Sequence, residues 1–397
     1  MAMTSATPTL TPAITRRFLA ASGLNGLAFG LEISALPLYF LTLGLPPPVY
    51  GLLVGTAWLV SLVVRMPIGV LAMRFGNRAL LIVGCWLYAP LSWLLLVSGN
   101  VPVFFTVRLL NGVARSLMVL PLRSWFTELC PRTRLHTELG RLNALFALGQ
   151  SFLGLLGGPL LLAWLGPPAL LGLLGGLSLA IWWLLRPAPR DYPAESAREA
   201  AAAGIAHPRL LWVAAPCGLA ANMALSAIAA FIPQVVLSRG WSPETVSLLL
   251  AAQGITTVVL ARQNGPLVGR WGEAAPALAA LALVPGAAAL LYGVDAGAAL
   301  PLVALLTGAA AGVLPSLAMG LAARSLASRS QGISIHETYT SLGLGAGPFL
   351  GGLATQLFGT PRAALLPCAL VAAFGVLAIV REHRRLAPPA ASAAPAR

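Results

Sequence analysis

Long apolar runs recur along this chain at a nearly regular spacing, separated by short segments rich in Gly, Pro and Arg. About 20 apolar residues are enough for a helix to cross the roughly 30 Å hydrocarbon core of a bilayer. Only 9% of the residues are charged, whereas roughly a quarter are charged in a soluble domain. The chain therefore belongs in a membrane, and its connections are too short for a large soluble domain.

The apolar runs predict an all-α polytopic protein with twelve transmembrane helices in two pseudo-symmetric six-helix bundles. The first six spans are predicted at residues 18–41, 48–68, 79–98, 102–122, 143–164 and 168–185. The other six are predicted at residues 209–236, 244–263, 275–293, 298–322, 335–356 and 362–380. We expect bundles at 16–186 and 209–385, a cytoplasmic linker at 187–208, and tails at 1–15 and 386–397.

The arginines between the spans predict the orientation. All 25 basic residues are Arg, and among those in the connections only Arg239 and Arg362 fall on the less basic side. Because cytoplasmic loops carry the excess of basic residues, we expect both termini in the cytoplasm and the protein in the inner membrane. Arg16 and Arg17 also fit a secretory signal, but the apolar run after them is too long for a signal core. The net charge of +14 therefore needs no nucleic acid as a partner.

The two halves of the chain repeat each other at a constant offset of 196 residues. The matching pairs are Pro37 and Pro233, Gly44 and Gly240, Pro47 and Pro243, Gly69 and Gly265, Arg74 and Arg270, Gly76 and Gly272, and Gly112 and Gly308. Internal repeats of this kind are typical of secondary transporters, in which two similar bundles alternate around one central site.

The connection after the second span reads from Gly69 through Arg74 and Gly76 to Arg78. It resembles the loop signature of the major facilitator superfamily, and a weaker copy follows the eighth span at Gly265, Arg270 and Gly272. The resemblance implies a gating loop at the cytoplasmic side. Met73 stands where the family usually has an Asp that pairs across the gate, so the gate of this protein is expected to be stabilised differently.

Arg108 to Gly112 in the fourth span resembles a family element whose arginine is implicated in proton coupling. Arg115 lies two turns further on and Asn111 lies between them. Glu32 in the first span is the obvious partner, because it lies about 14 Å deep while Arg108 and Arg115 lie roughly 9 and 20 Å deep at 1.5 Å per residue. In the family the first and fourth spans line the central cavity.

A carboxylate among arginines predicts a proton switch, since burial favours the neutral acid and a guanidinium favours the ionised form. Glu32, Arg108 and Arg115 are therefore the predicted proton-coupling residues. The alternative is a static buried ion pair that fixes the packing of the two spans. His336 and Glu337 form a second predicted proton site, although residues 334–337 also fit a capping box at the start of the eleventh span.

The fifth and eleventh spans carry Gly- and Pro-rich packing motifs. Their residues are Gly154, Gly158 and Pro159 in the fifth span, and Gly343, Gly347, Pro348, Gly351 and Gly352 in the eleventh. The second set resembles a motif that is associated with antiporters in the family's fifth span, whereas the fifth-span set of this chain lacks its final glycine pair. Generic close helix packing is the alternative. The predicted polar contacts to substrate are Asn25, Tyr39, Asn111, Asn222 and Gln253.

Taken with the resemblance, these features predict a proton-coupled antiporter that exports small amphiphilic compounds by alternating access. Transport of a polar metabolite, such as a sugar, amino acid or metal chelator, is one alternative, and a non-transporting receptor or scaffold is another. No nucleotide-binding loop or hydrolase motif is present in the sequence, so we expect no enzyme activity and no cofactor. No cysteine spacing indicates a metal site. The expected partners are substrate, protons and lipid, with the chain as a monomer.

Overall fold

A computed structural model describes residues 11–97, 100–130, 135–189, 208–294, 296–325 and 329–386. Every element in this part of the chain is helical. Most of the predicted linker at 187–208 and of the predicted tails at 1–15 and 386–397 lies outside the described residues.

The first half forms helices α1 to α6, with one π-helical segment between α5 and α6. Their bounds are α1 Pro12–Leu41, α2 Pro47–Phe75, α3 Asn77–Val97, α4 Val101–Leu129, α5 Leu135–Ala147, the π-helical segment Leu148–Gly154, and α6 Leu155–Leu185. The backbone of Gly166 leaves the helical region at a φ of 75° and interrupts α6. The interruption separates the predicted fifth and sixth spans.

The second half forms helices α7 to α12, with one turn of 3-10 helix before the last of them. Their bounds are α7 Pro208–Leu237, α8 Pro243–Trp271, α9 Ala274–Gly293, α10 Ala296–Ser325, α11 Arg329–Phe358, the 3-10 turn Pro361–Leu365, and α12 Leu366–Leu386. Ten of the described helical stretches are long and apolar enough to cross a bilayer. The predicted all-helical polytopic fold is confirmed.

One local prediction is wrong. Residues 334–337 fit a capping box, but α11 already begins at Arg329. His336 and Glu337 therefore lie within the helix, where residue 334 has no free helix start to cap. The sequence pattern misled because a Ser followed by Glu after three residues also occurs inside helices.

The internal repeat is present in the helix bounds and in the packing of each half. Both bounds of α7 lie 196 residues after those of α1, and the same is true of α8 and α2. A Cβ on Gly112 would overlap the carbonyl oxygen of Ala57, and one on Gly308 would overlap that of Gln253, again 196 residues further. The hydroxyl groups of Ser61 and Thr257 each donate to the carbonyl of the respective glycine at 3.1 Å. The same helix contact is therefore built twice.

The described chain divides into two compact units. The first holds the chain up to Tyr39 and from Thr56 to the end of α6, and the second holds Phe40–Gly55 and the helices from α7 onward. In the first unit α3 packs on α4 and α6. In the second, α7 packs on α10, α11 and α12, while α10 also packs on α8 and α9. The short segment Phe40–Gly55 belongs to the second unit because it packs on α11, where Gly51 lies against Pro348 and Gly55 against Gly345.

Candidate functional site

Glu32 is a buried carboxylate within the membrane-spanning part of α1. It lies nine residues before Leu41, the last residue of the helix, and only 3% of its surface is exposed. An ionised group at this depth is costly unless other groups compensate its charge. The surroundings of Glu32 therefore determine what this carboxylate can do.

Three side chains from two other helices contact the carboxylate. Nη1 of Arg108 lies 2.5 Å from Oε1, and Nη1 of Arg115 donates to Oε2. The hydroxyl of Tyr88 on α3 donates to the same Oε2 at 3.0 Å. We call Glu32, Tyr88, Arg108 and Arg115 the Glu32 cluster. All four residues are at most 5% exposed.

Two aromatic rings hold Arg115 beside the carboxylate. Its Cζ lies 4.1 Å from the ring centroid of Phe29 and 4.3 Å from that of Trp58. Both distances are within the range of cation–π attraction, which strengthens where water is excluded. The rings also contact each other, with centroids 4.8 Å apart. Arg115 is therefore positioned by α1 and α2 as well as by its own helix.

The charges of the Glu32 cluster do not balance. Two guanidinium groups face one carboxylate, so the cluster carries one excess positive charge when Glu32 is ionised. Nη2 of Arg115 is buried without a hydrogen-bond acceptor among the described residues, and Oδ1 of the neighbouring Asn111 is buried without a donor. Buried polar atoms without partners are rare in folded proteins and often occur at functional sites.

The second half of the chain has no counterpart to these charges. The residues 196 positions after Glu32, Arg108 and Arg115 are Ile228, Ala304 and Ala311, and all three are buried. The two halves therefore share a fold while only the first carries buried intramembrane ion pairs at these positions. This asymmetry indicates that the Glu32 cluster is not required by the repeated fold.

Close packing against the π-helical segment fixes the part of α1 that carries Glu32. A Cβ on Gly30 would overlap the backbone of Gln150, and the hydroxyl of Ser34 donates to the carbonyl of Gly154 at 3.0 Å. Gly158 lies against Ser34. The predicted packing residues Gly154 and Gly158 therefore lie directly on α1, and Pro159, the residue after Gly158, is buried.

The other predicted substrate contacts differ in how far the protein already uses their polar groups. Tyr39 donates to the carbonyl of Leu95 at 2.9 Å, and Asn222 donates to the carbonyl of Gly218 in its own helix at 2.8 Å. Gln253 is fully buried and donates to the hydroxyl of Thr307 at 3.2 Å, but its Oε1 has no donor among the described residues. Asn25 is buried in α1.

The predicted gating loop joins α2 to α3 through a glycine turn. Gly76 has a φ of 82°, and Gly272 at the corresponding place in the second half has a φ of 71°. Side chains disfavour this conformation, which explains the glycine at both positions. Gly69 and Gly265, in contrast, have open space where a Cβ would lie. Arg74 and Arg270 are exposed.

Arg78 binds the end of another helix in the first unit. Its guanidinium donates to the carbonyls of Arg186 at 2.8 Å and Ala188 at 3.3 Å, just after the end of α6. Arg17 donates to the carbonyl of Leu184 at 3.4 Å. Basic side chains at a helix C-terminus satisfy free carbonyls and complement the helix dipole. The loop arginine therefore ties α3 to α6.

The glycine motif of α11 forms a tightly packed face in the second unit. Gly343 and Gly347 lie against α7 at Asn222 and Met223. Gly351 lies against Phe231 of α7, whereas Pro348 and Gly352 lie against Gly51 and Pro47 of the Phe40–Gly55 segment. His336, buried, and Glu337, half-buried, lie earlier in α11, and they remain a second predicted proton site.

Sequence reasoning missed Tyr88 and Phe29 as members of the site. A signal for Tyr88 was available, since it lies eleven residues into α3, or about 16 Å from the start of that helix. Glu32 lies about 14 Å from the opposite membrane boundary of a roughly 30 Å core. The depth count that paired Glu32 with the arginines would therefore also have found Tyr88.

Comparisons with known proteins identify the family of the chain. The sequence profile described as Major Facilitator Superfamily matches residues 18–237 and 214–396. The chain belongs to the Major Facilitator Superfamily. An uncharacterized MFS-type transporter of Methanocaldococcus jannaschii is 26% identical over 132 residues, which are 33% of this chain and 34% of that protein. The match spans about a third of the length of this relative.

Two solved structures of the superfamily share the fold over nearly the whole chain. The nucleoside transporter NupG has a TM-score of 0.72 at 13% identity and covers 94% of this chain and 99% of its own. A bacterial homolog of the human lysosomal transporter Spinster, in an inward-facing and occupied conformation, has a TM-score of 0.70 at 16% identity, with 95% and 98% covered. The chain is therefore a multi-pass membrane protein with the fold of this superfamily.

Proposed function

We propose that this transporter is a proton-coupled antiporter that exports a small amphiphilic compound. The observation that supports the proposal is the Glu32 cluster, a carboxylate buried in a membrane-spanning helix and bound by Arg108, Arg115 and Tyr88. Such a carboxylate has two stable states. When ionised it binds the guanidinium groups, and when protonated it loses that attraction and leaves them to other partners.

The proposed cycle uses this switch in alternating access. Glu32 takes a proton from the outer side, the protein releases its substrate there, and the proton leaves to the cytoplasm after the bundles have changed access. Arg108 and Arg115 set how readily the proton binds. The even number of spans and the arginine-rich connections support cytoplasmic termini in this scheme.

Two amide side chains are the proposed hydrogen-bonding groups for substrate, each argued within its own half. Asn111 offers Oδ1 beside the Glu32 cluster, and Gln253 offers Oε1 next to Thr307, and neither oxygen has a donor among the described residues. Tyr39 and Asn222 donate to backbone carbonyls, so helix packing accounts for much of their bonding capacity.

Vesicles with an imposed pH gradient test the proposal. Purified protein is reconstituted with an acidic interior, and a panel of amphiphilic fluorescent dyes is added outside. We expect dye accumulation against its gradient with the unmodified protein and none with Glu32→Gln. Glu138→Gln is the matched control, because Glu138 also pairs with an arginine, Arg141, but near an exposed helix surface. Uphill accumulation by Glu32→Gln would contradict the role of Glu32, and a parallel Glu337→Gln variant tests the second proton site.

The excess positive charge of the Glu32 cluster favours a second candidate, co-transport of a proton with an organic anion. An anion bound at Arg115 would bring the charges closer to balance, and protonation of Glu32 would free a guanidinium for it. This candidate is a form of the polar-metabolite alternative. One structural neighbour is a nucleoside transporter, and at 13% identity it is evidence for the fold alone.

The charge of the ligand separates the two candidates. Matched aromatic compounds that carry a carboxylate, an amide or an ammonium group on one ring skeleton are compared by uptake into the same vesicles. Uphill movement of the ammonium compound into acidic vesicles supports antiport. Uphill movement of the carboxylate out of acidic vesicles, together with protons, supports co-transport, and binding without any flux supports the receptor alternative.

A further inference from the structure

A polar cleft lies at one end of the second unit. It is formed by the end of α7, the end of α9 and the 3-10 turn before α12. Its volume is about 460 Å³. This volume is within the roughly 300–1,000 Å³ typical of small-molecule pockets. The residues around it include Ser238, Arg239, Tyr292, Thr360 and Arg362.

The cleft brings together the two arginines of the less basic side. Arg239 follows α7 and Arg362 lies in the 3-10 turn, 123 positions later in the printed sequence. Both are half-buried and line the same cleft, and no carboxylate is among its lining residues. The lining is therefore cationic.

The repeated fold does not require this charge. Gly44 and Gly240 make equivalent turns, with φ values of 62° and 71°. The residue before the first turn is Leu43, whereas the residue before the second is Arg239. Because a leucine serves in the same turn of the first half, the arginine of the second half is not needed to form the turn. Basic residues on the less basic side also oppose the orientation rule.

The remaining lining fits an anion with apolar groups attached. Thr360 accepts from the backbone of Arg362 at 3.4 Å, which leaves its hydroxyl hydrogen to donate to a ligand. Tyr292 is 46% exposed and contacts Phe358, 54% exposed, with ring centroids 6.0 Å apart. Leu357 beside it is 80% exposed. An exposed apolar edge therefore adjoins the cationic cleft at the end of membrane-spanning helices.

We propose that this cleft binds a phosphate group, with Arg239 and Arg362 as its charged ligands, and that the phosphate belongs to a membrane phospholipid whose acyl chains lie on Tyr292 and Phe358. Guanidinium groups bind phosphate through charge-assisted hydrogen bonds, often two at once. Basic pockets between transmembrane helices are suited to lipid headgroups. The proposal does not depend on proton coupling or on the transported substrate.

Ligand binding to the delipidated protein in a neutral detergent tests the proposal. The probes are short-chain phosphatidylglycerol, the corresponding diacylglycerol without phosphate, and inorganic phosphate, and binding is followed by the rise in melting temperature. The variants are Arg239→Gln, Arg362→Gln and the double substitution. Arg381→Gln is the matched control, since Arg381 is exposed near the other end of α12, the helix that follows Arg362.

We expect phosphatidylglycerol to stabilise the unmodified protein and Arg381→Gln, and to bind each single variant about tenfold more weakly, equal to about 1.4 kcal/mol. The single variants keep the test informative if the double variant does not fold. If inorganic phosphate bound with the same affinity as phosphatidylglycerol, the cleft would be a site for a free anion and not for a lipid. Three results would overturn the proposal. They are equal binding of phosphatidylglycerol by all variants, binding of diacylglycerol as tight as that of phosphatidylglycerol, and no binding of any phosphate compound.

Discussion

Nη1 of Arg108 lies 2.5 Å from Oε1 of Glu32, although the two residues are 76 positions apart in the chain. The contact joins the middle of α1 to α4 in a part of the protein that is expected to exclude water. Arg115 lies about two turns further along α4 and donates to the other oxygen of the same carboxylate. One carboxylate is thus shared by two guanidinium groups. Several consequences of this arrangement can be measured.

The shared carboxylate predicts an unequal response to the loss of charge. Glu32→Gln leaves two buried guanidinium groups without their acid, and we expect a loss of about 3–5 kcal/mol in the free energy of unfolding. Arg115→Gln leaves a balanced pair of Glu32 and Arg108, and we expect a loss of about 1–3 kcal/mol from the missing ring contacts and hydrogen bonds. Melting temperatures of the purified variants measure the difference.

The double variant Glu32→Gln with Arg115→Gln serves as the control for this charge argument. In Glu32→Gln two buried guanidinium groups lack a carboxylate, and the double variant removes one of them. It should therefore be at least as stable as Glu32→Gln alone. Simple additivity of the two single losses would show that charge balance does not govern the stability of the cluster.

The repeated glycine contacts predict matched effects in the two halves. Gly112→Ala and Gly308→Ala should each cost about 1–3 kcal/mol, because the added methyl group meets a backbone carbonyl of the neighbouring helix. Gly69→Ala and Gly265→Ala, which have open space, should not destabilise, since alanine favours helix by roughly 0.5–1 kcal/mol. Thermal unfolding of the four variants tests this, and a large loss for either open position would contradict the packing described.

The loop arginines predict another contrast. Arg78→Gln removes two hydrogen bonds to carbonyls after the end of α6, and we expect a loss of about 1–2 kcal/mol. Arg74→Gln changes an exposed residue in the same motif and should leave the melting temperature nearly unchanged. If the two variants unfold alike, the bonds of Arg78 contribute nothing to stability.

Gln253 and Thr307 predict different effects although they share one hydrogen bond. Gln253→Leu removes that bond together with the buried Oε1 that has no donor, so stability should change by less than about 1 kcal/mol. Thr307→Val leaves the amide of Gln253 without its acceptor and should cost about 1–3 kcal/mol. A fall in transport by Gln253→Leu at unchanged stability supports a substrate contact, whereas unchanged transport argues against it.

Much of the fold could be predicted from the sequence because a membrane restricts the choices. The lengths of the apolar runs predicted the helical spans, because every backbone N–H and C=O group in lipid must be hydrogen-bonded within the protein and a helix achieves this within one segment. The offset of 196 residues predicted the repeat, and the structure shows it in the Gly112 and Gly308 contacts. Counting residue depths brought Glu32 to the level of Arg108 and Arg115, and the three side chains are in contact.

Other features depend on how helices pack together, which the lengths of the apolar runs do not predict. The π-helical segment at Leu148–Gly154 arises where α1 and the fifth span approach through Gly30 and Gly154. The start of α11 at Arg329 was missed because polar residues at a membrane boundary obscure the beginning of a helix. The ring of Phe29 beside Arg115 was missed because aromatic residues in spans are common on lipid-facing surfaces as well.

The protonation of Glu32 itself is the most direct test of the central claim. Infrared difference spectra of the membrane-reconstituted protein, recorded as the pH is lowered across the range in which it transports, report the carbonyl band of a buried carboxylic acid. The account predicts such a band in the unmodified protein and in Glu138→Gln, and its absence in Glu32→Gln. A carboxylate that stays ionised over the whole transport range, or an identical band in Glu32→Gln, would show that Glu32 is a fixed ion-pair partner and not the proton carrier.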